Sequence, residues 1–156
     1  GPDPIHFAYS FSAQAVEIEV SLETGSVQVL QVISANDAGR VLNPLGFQGQ
    51  VEGGVVMGVG HALMEEFRVN AGVVETDRMA RYPIPRMPDS PRVKSILVEH
   101  PTAEGPFGAK GVGEIVSIPT PPAVANALYN AIGLRVLRLP IRAEEVLAYL
   151  REFPPT

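Results

Sequence analysis

The segment Gly108-Ala109-Lys110-Gly111-Val112-Gly113-Glu114 places a carboxylate at the end of a glycine-threaded loop. Glycine lets backbone approach another group closely, or take positive φ, at little steric cost. Ile115 and Val116 follow Glu114, with no neighbouring charge. A carboxylate buried among glycines and aliphatic side chains is poorly solvated, which suits it to act as a general base near neutral pH. The same residues also read as a surface turn carrying a solvated glutamate. Protein-ligated transition-metal chemistry is not expected. The chain has no cysteine, and its three histidines, His6, His61 and His100, are scattered with no His-x-x-x-His pair. Disulfides, thiolate chemistry and cysteine-ligated iron–sulfur clusters are excluded within these residues. A metal taking part must bring most of its ligands on another molecule.

The elements that must hold this loop follow from the patterning. From His6 to Val20 the second half alternates, Ala15, Glu17 and Glu19 against Val16, Ile18 and Val20, as in a strand with one buried face. Glu23-Thr24-Gly25-Ser26 is a hairpin turn signal, and Val27, Val29, Val32 and Ile33 continue as the partner strand. A turn over Asn36–Pro44 leads into an expected helix over Leu45–Glu66, with Pro44 suited to its first turn. This helix carries Gly46, Gly49, Gly53, Gly54, Gly58 and Gly60. Each interior glycine costs about 0.5–1 kcal/mol relative to alanine, so close approach of another backbone or of a flat ligand must compensate. No Gly-Lys-Ser/Thr follows, and Gly58-Val59-Gly60 lacks the third glycine of the dinucleotide fingerprint. A dinucleotide-binding module is therefore the weakest reading.

Further along, a short hairpin is expected over Glu66–Glu75, turning at Asn70-Ala71-Gly72, then a proline-punctuated loop over Asp77–Pro91 and a strand over Val93–His100. Thr120 is expected to cap a helix with Pro121 and Pro122 in its first turn, Val124, Ala127, Leu128, Ala131 and Ile132 on its apolar face and Gly133 at its end. Arg135–Leu139 reads as a last strand. A final helix over Ile141–Glu152 has Glu144 and Glu145 in its first turn. This mixed order predicts an α+β fold, a two-layer domain of mixed strands and helices rather than a doubly wound sheet. Residues 1–156 are read as a single domain.

Several stretches, in order, resemble one family. They are Asp37-Ala38-Gly39-Arg40-Val41-Leu42-Asn43-Pro44, Gly49-Gln50-Val51-Glu52-Gly53-Gly54, Tyr82-Pro83-Ile84-Pro85, Asp89-Ser90-Pro91, Lys110-Gly111-Val112-Gly113-Glu114 and Leu139-Pro140-Ile141. From about Phe11 onward the chain resembles the molybdenum-binding subunit of the xanthine dehydrogenase and aldehyde oxidase family of molybdenum hydroxylases. The resemblance implies a molybdenum held by a pterin dithiolene, with the pterin expected in its cytosine dinucleotide form, hydroxylating a heteroaromatic or aldehyde carbon with water-derived oxygen. It implies that Glu114 is the general base that takes the proton from the attacking hydroxyl. It puts Gln50 close to pterin and metal, where an amide can both donate and accept; Gln50 reads equally well as an exposed or packed helix residue. It also lays the backbone of Lys110, Gly111, Val112 and Gly113 against the cofactor, with no metal ligand from the chain itself. Many family members carry Gln where Met57 stands here, so any polar contact from that position is lost. His61, Lys110 and Arg40 are further polar neighbours by this reading, or else surface and packing residues.

The family's subunit is several times longer, so the chain is expected to be the C-terminal fragment of a larger molybdenum-binding subunit. The remainder of that subunit, together with FAD and [2Fe–2S] subunits, supplies the expected partners, with a small-molecule substrate. The alternative is a non-catalytic interaction or structural domain that kept the glycine packing but no chemistry. The net charge of −5 argues against nucleic acid, no run of about 18 apolar residues suggests a membrane span, and Gly1-Pro2-Asp3-Pro4 lacks the basic and apolar regions of a secretory leader. A cytoplasmic location is expected, and the isolated fragment is expected to self-associate through surface meant for its neighbours.

Overall fold

The computed structural model describes residues 8–154. His6, where the first strand was expected to start, lies outside the described residues. Strand β1 spans Phe11–Val20 and β2 spans Val27–Asp37. They pair antiparallel, with a register irregularity between Glu17 and Ile18. Helix α1, Pro44–Leu63, carries the chain over one face of this pair. A two-residue-per-strand hairpin, β3 Val69–Asn70 and β4 Val73–Val74, leads to the proline-rich connection. Strand β5, Arg92–Val98, then returns parallel to β2, giving the sheet order β1-β2-β5. Helices α2, Thr120–Ile132, and α3, Ala143–Glu152, complete the fold. The outcome is the α+β architecture the sequence implies, with a helical layer packed on a mixed sheet.

The alternation in β1 works as expected: Val16, Ile18 and Val20 pack against the core while Glu17 and Glu19 face out. Val29 and Val32 of β2 meet Val55, Val59 and Ala62 of α1, Val124 and Leu128 of α2, and Val146 and Leu150 of α3. A second, smaller cluster of Ala38, Phe47, Val51 and Val116 sits under the glycine loop. Burial of side chains of this size contributes about 1.5–3 kcal/mol each. The two clusters tie the loop's base to the same helix that carries Gln50.

Three local expectations are corrected. Arg135–Leu139 forms no strand. It lines a groove together with Pro121, Pro122, Ala125 and Asn126 of α2 and pairs with no strand, Arg135 lies over the Tyr129 ring at 3.7 Å, and Leu137 is 93% exposed. Thr120 is not a cap: it is the first residue of α2, after Pro119, and its hydroxyl is spent on Gln14. Helix α1 also ends at Leu63 rather than Glu66. Met64 and Glu65 both donate to the Gly60 carbonyl, while the Glu65 carboxylate accepts from the Tyr82 hydroxyl and Glu66 pairs with Arg138 and Arg142.

Candidate functional site

The turn after β2 and the glycine loop are stitched into one unit. The Gly39 N–H donates to Asp37 Oδ1 at 2.9 Å, and Lys110 Nζ donates to Asp37 Oδ2 at 2.8 Å. Both side chains of this ion pair are nearly buried, 8% exposed for Asp37 and 6% for Lys110. Backbone bonds run both ways: Lys110 N–H to the Ala38 carbonyl and Arg40 N–H to the Gly108 carbonyl, each 2.9 Å. Gly39 takes φ +67°, and a side chain there would run into the Gly108 carbonyl. The motif's glycine is thus required by both its dihedral and its neighbour. Burial works to raise the Asp37 pKa. The hydrogen bonds from Lys110 and Gly39, the Lys110 charge and a backbone bond at His100 outweigh it and hold that carboxyl below its ordinary value of 3.8.

Helix α1 starts beside this junction. The Asn43 side chain accepts the Gly46 N–H at 2.9 Å, a side-chain N-cap, with Pro44 as first helical residue. Between the turn, the start of α1 and the loop lies a cleft of about 360 Å³, lined among others by Arg40, Asn43, Phe47, Gln50, Lys110 and Val112. The walls are apolar with few polar groups, the usual character of a ligand site. The Lys110 side chain is turned inward to Asp37, so the loop offers the cleft mainly its backbone.

Glycine packing separates into two kinds. A side chain at Gly54 would run into Val116, and one at Gly58 would run into Thr120. These two let the end of the loop and the start of α2 seat on the helix. Gly49, Gly53 and Gly111 are different: a Cβ built there meets nothing within 4 Å, and at Gly113 it meets only Gln50 Oε1 at 3.9 Å. All four are exposed, and none takes positive φ. Gly49, Gln50 and Gly53 share one face of α1, since residues three and four apart are neighbours on a helix. Bare backbone on helix and loop therefore surrounds the exposed Gln50 amide, with no reason for it among the described residues. A flat ligand laid over that surface supplies one.

Gln50, Lys110 and Val112 meet at the cleft, and Gly113 lies next to Gln50. Gly111 and Glu114 do not line it. Glu114 is exposed, at the start of a turn whose Ser117 and Ile118 N–H groups donate to its carbonyl at 3.1 and 3.3 Å. The apolar surroundings expected from its neighbours in sequence are not supplied by the described residues: Val116 points down into the second core cluster instead. Met57 is also exposed, and His61 sits about three turns along α1 from Gln50, 3.8 Å from Glu65. Among the described residues no group of three or more His, Cys, Asp or Glu could hold a metal. Sequence reasoning missed the Asp37–Lys110 pair and Gln14. The two charges stand 73 positions apart, and only their flanking glycines hinted that their backbones meet.

Residues 1–91 match the family described as the molybdopterin cofactor-binding domain. Over 149 residues the chain is 42% identical to a probable xanthine dehydrogenase subunit of Bacillus subtilis, in a match that covers 94% of this chain and 20% of that protein. Over 141 residues it is 38% identical to an aldehyde oxidoreductase molybdenum-binding subunit of Escherichia coli, covering 88% of this chain and 19% of that protein. The crystal structure of the aldehyde oxidoreductase from Desulfovibrio desulfuricans superposes with a TM-score of 0.83 at 35% identity, over 90% of this chain and 15% of that one. The chain spans about a fifth of the length of the curated relatives it matches. With the family matched over more than half of the sequence and the exposed glycines gathered around Gln50, the chain belongs to the molybdopterin cofactor-binding domain family.

Proposed function

We propose that this chain is the C-terminal part of the molybdenum-binding subunit of a xanthine dehydrogenase or aldehyde oxidase type hydroxylase, acting on a heteroaromatic or aldehyde carbon. The observation that carries the reading is the bare backbone of Gly49, Gly53, Gly111 and Gly113 around the Gln50 amide. The two interior helix glycines alone cost about 1–2 kcal/mol relative to alanine, and nothing among the described residues offsets that. The cofactor, molybdopterin in its cytosine dinucleotide form, supplies the two-electron oxidation. Gln50 hydrogen-bonds to it, and the backbone of Lys110, Gly111, Val112 and Gly113 lies against it. Asp37 and Lys110 hold that backbone in place. Glu114 takes a proton from the water-derived nucleophile. The rest of the subunit closes the other wall and removes water from around Glu114, which restores the desolvation this chain alone does not provide. FAD and [2Fe–2S] groups on partner chains or domains carry the electrons away, and the assembly works in the cytoplasm.

The exposure of Glu114 favours one rival, a non-catalytic interaction domain. Replacing Glu114 separates the two readings. Glu114→Gln keeps the shape and removes the base, a loss typically of about 10²–10⁴-fold in rate. In the complete enzyme, rapid substrate-driven reduction is followed with molybdenum assayed in parallel. The expected result is slow reduction at unchanged molybdenum content; reduction at the wild-type rate would reject Glu114 as base.

A further inference from the structure

The loop that carries Glu114 is anchored from below by polar side chains where a sheet-to-helix interface ordinarily holds apolar ones. Gln14 lies on β1, facing the helical layer. Its Nε2 donates to the Val116 carbonyl at 2.8 Å and to Ser34 Oγ at 3.0 Å, and its Oε1 accepts from Thr120 Oγ1 at 2.7 Å. A carbonyl only accepts, so the Val116 contact fixes which way the carboxamide points. Ser34 Oγ also accepts from Asn36 Nδ2 at 2.9 Å, and Ser12 Oγ donates to Asn36 Oδ1 at 2.6 Å. Ser34, Asn36 and Thr120 are fully buried. No buried side-chain polar atom among the described residues lacks a partner. A buried polar network that is fully satisfied rigidifies what it holds.

What it holds is the turn after Glu114. Val116 is two residues on, and its side chain is clamped against Gly54 while its carbonyl is clamped by Gln14. The Glu114 carbonyl is tied within the same turn by Ser117, through its N–H and its hydroxyl, each at 3.1 Å. Upstream, Ser10 Oγ donates to the Gly111 carbonyl at 2.8 Å. The exposed Glu114 side chain is thus carried on a backbone fixed on both sides. We propose that Gln14 is a positioning residue for Glu114: through the Val116 carbonyl, with Thr120 orienting its carboxamide, it sets the height and direction of the backbone that carries the Glu114 carboxylate. The proposal rests on the reading of Glu114 as base. Displacement of a reacting group by about 1 Å costs of the order of 100-fold in rate.

The test uses the complete enzyme. Gln14→Met keeps length and removes all three hydrogen bonds. The limiting rate of reduction at saturating substrate should fall about 10- to 100-fold, with the substrate concentration for half-maximal rate and the molybdenum content unchanged. Thr120→Val removes the hydroxyl that orients the carboxamide and that itself stands 3.3 Å from the Val116 carbonyl, but leaves Gln14 in place, and should give a weaker fall, whereas Thr120→Ser should restore the rate. If Gln14→Met does not assemble, the Thr120 pair carries the test. A Gln14→Met or Thr120→Val enzyme with the wild-type limiting rate, beside a slow Glu114→Gln enzyme, would overturn this proposal alone. A Glu114→Gln enzyme at the wild-type rate would overturn the base assignment and the proposal together.

Discussion

Lys110→Met leaves the Asp37 carboxylate buried without its cation. At 2.8 Å between Nζ and Oδ2, the direct attraction is about 6 kcal/mol at an effective dielectric constant of about 20. Desolvation of both groups offsets part of that, and removing one partner of a buried pair costs about 3–5 kcal/mol. The Gly39 N–H still donates to Asp37, so a loss near the lower end, about 3 kcal/mol, is expected for this chain. For a chain of this size each kcal/mol shifts the melting temperature by about 2–4 °C, which gives a drop of roughly 6–12 °C. Chemical unfolding of wild type, Lys110→Met and the double variant Asp37→Asn with Lys110→Met completes the comparison. The double variant should recover part of the loss, because an Asn carbonyl still accepts from Gly39 and no charge is left buried. The sign with pH follows from the lowered Asp37 pKa. The stability it contributes is fully present above 3.8 and lost as pH falls through the lower folded value. Wild type should therefore weaken below about pH 4, and Lys110→Met should weaken less over the same interval. A loss below about 1 kcal/mol, the range of an exposed pair, would refute the buried junction.

Other outcomes follow from the same packing. Asn43→Ala removes the α1 cap and should cost about 1 kcal/mol in chemical unfolding. Gly39→Ala combines strain at φ +67° with collision against the Gly108 carbonyl; it should destabilise by at least about 1–2 kcal/mol, and proteolysis should cut first near the loop. Phe11, Phe67, Phe107 and Leu137 are all more than half exposed, so the isolated chain should show concentration-dependent association in sedimentation velocity.

Period and punctuation made most of the fold legible. The alternation in β1, the Gly25 turn and the Pro44 and Pro121 helix starts all depend on neighbours in sequence, and all four stand where expected. Arg135–Leu139 did not: Val136 packs on the core while Leu137 and Leu139 stay exposed, and being a strand requires an edge to pair with that local pattern cannot reveal. Thr120 misled for a related reason: a threonine ahead of two prolines reads as a cap until Gln14, 106 positions away, claims its hydroxyl. Of the site, Gln50 and the loop backbone were legible through the motifs in which they stand. The Asp37–Lys110 pair and the polar anchor beneath Val116 were not, because each joins residues far apart in the chain. The surroundings of Glu114 were not legible either, since Glu114 is exposed and the described residues do not cover it.

The claim that bare backbone around Gln50 is shaped by a cofactor has a direct test in Gly113→Leu. The site is exposed, free of positive φ, and meets only Gln50 Oε1 at 3.9 Å, so this chain should keep its stability to within about 0.5 kcal/mol. In the complete enzyme the new side chain occupies the space assigned to the pterin. The expected result is a folded, assembled protein that has lost most of its molybdenum; a Gly113→Leu enzyme with full molybdenum content and wild-type reduction would contradict the claim.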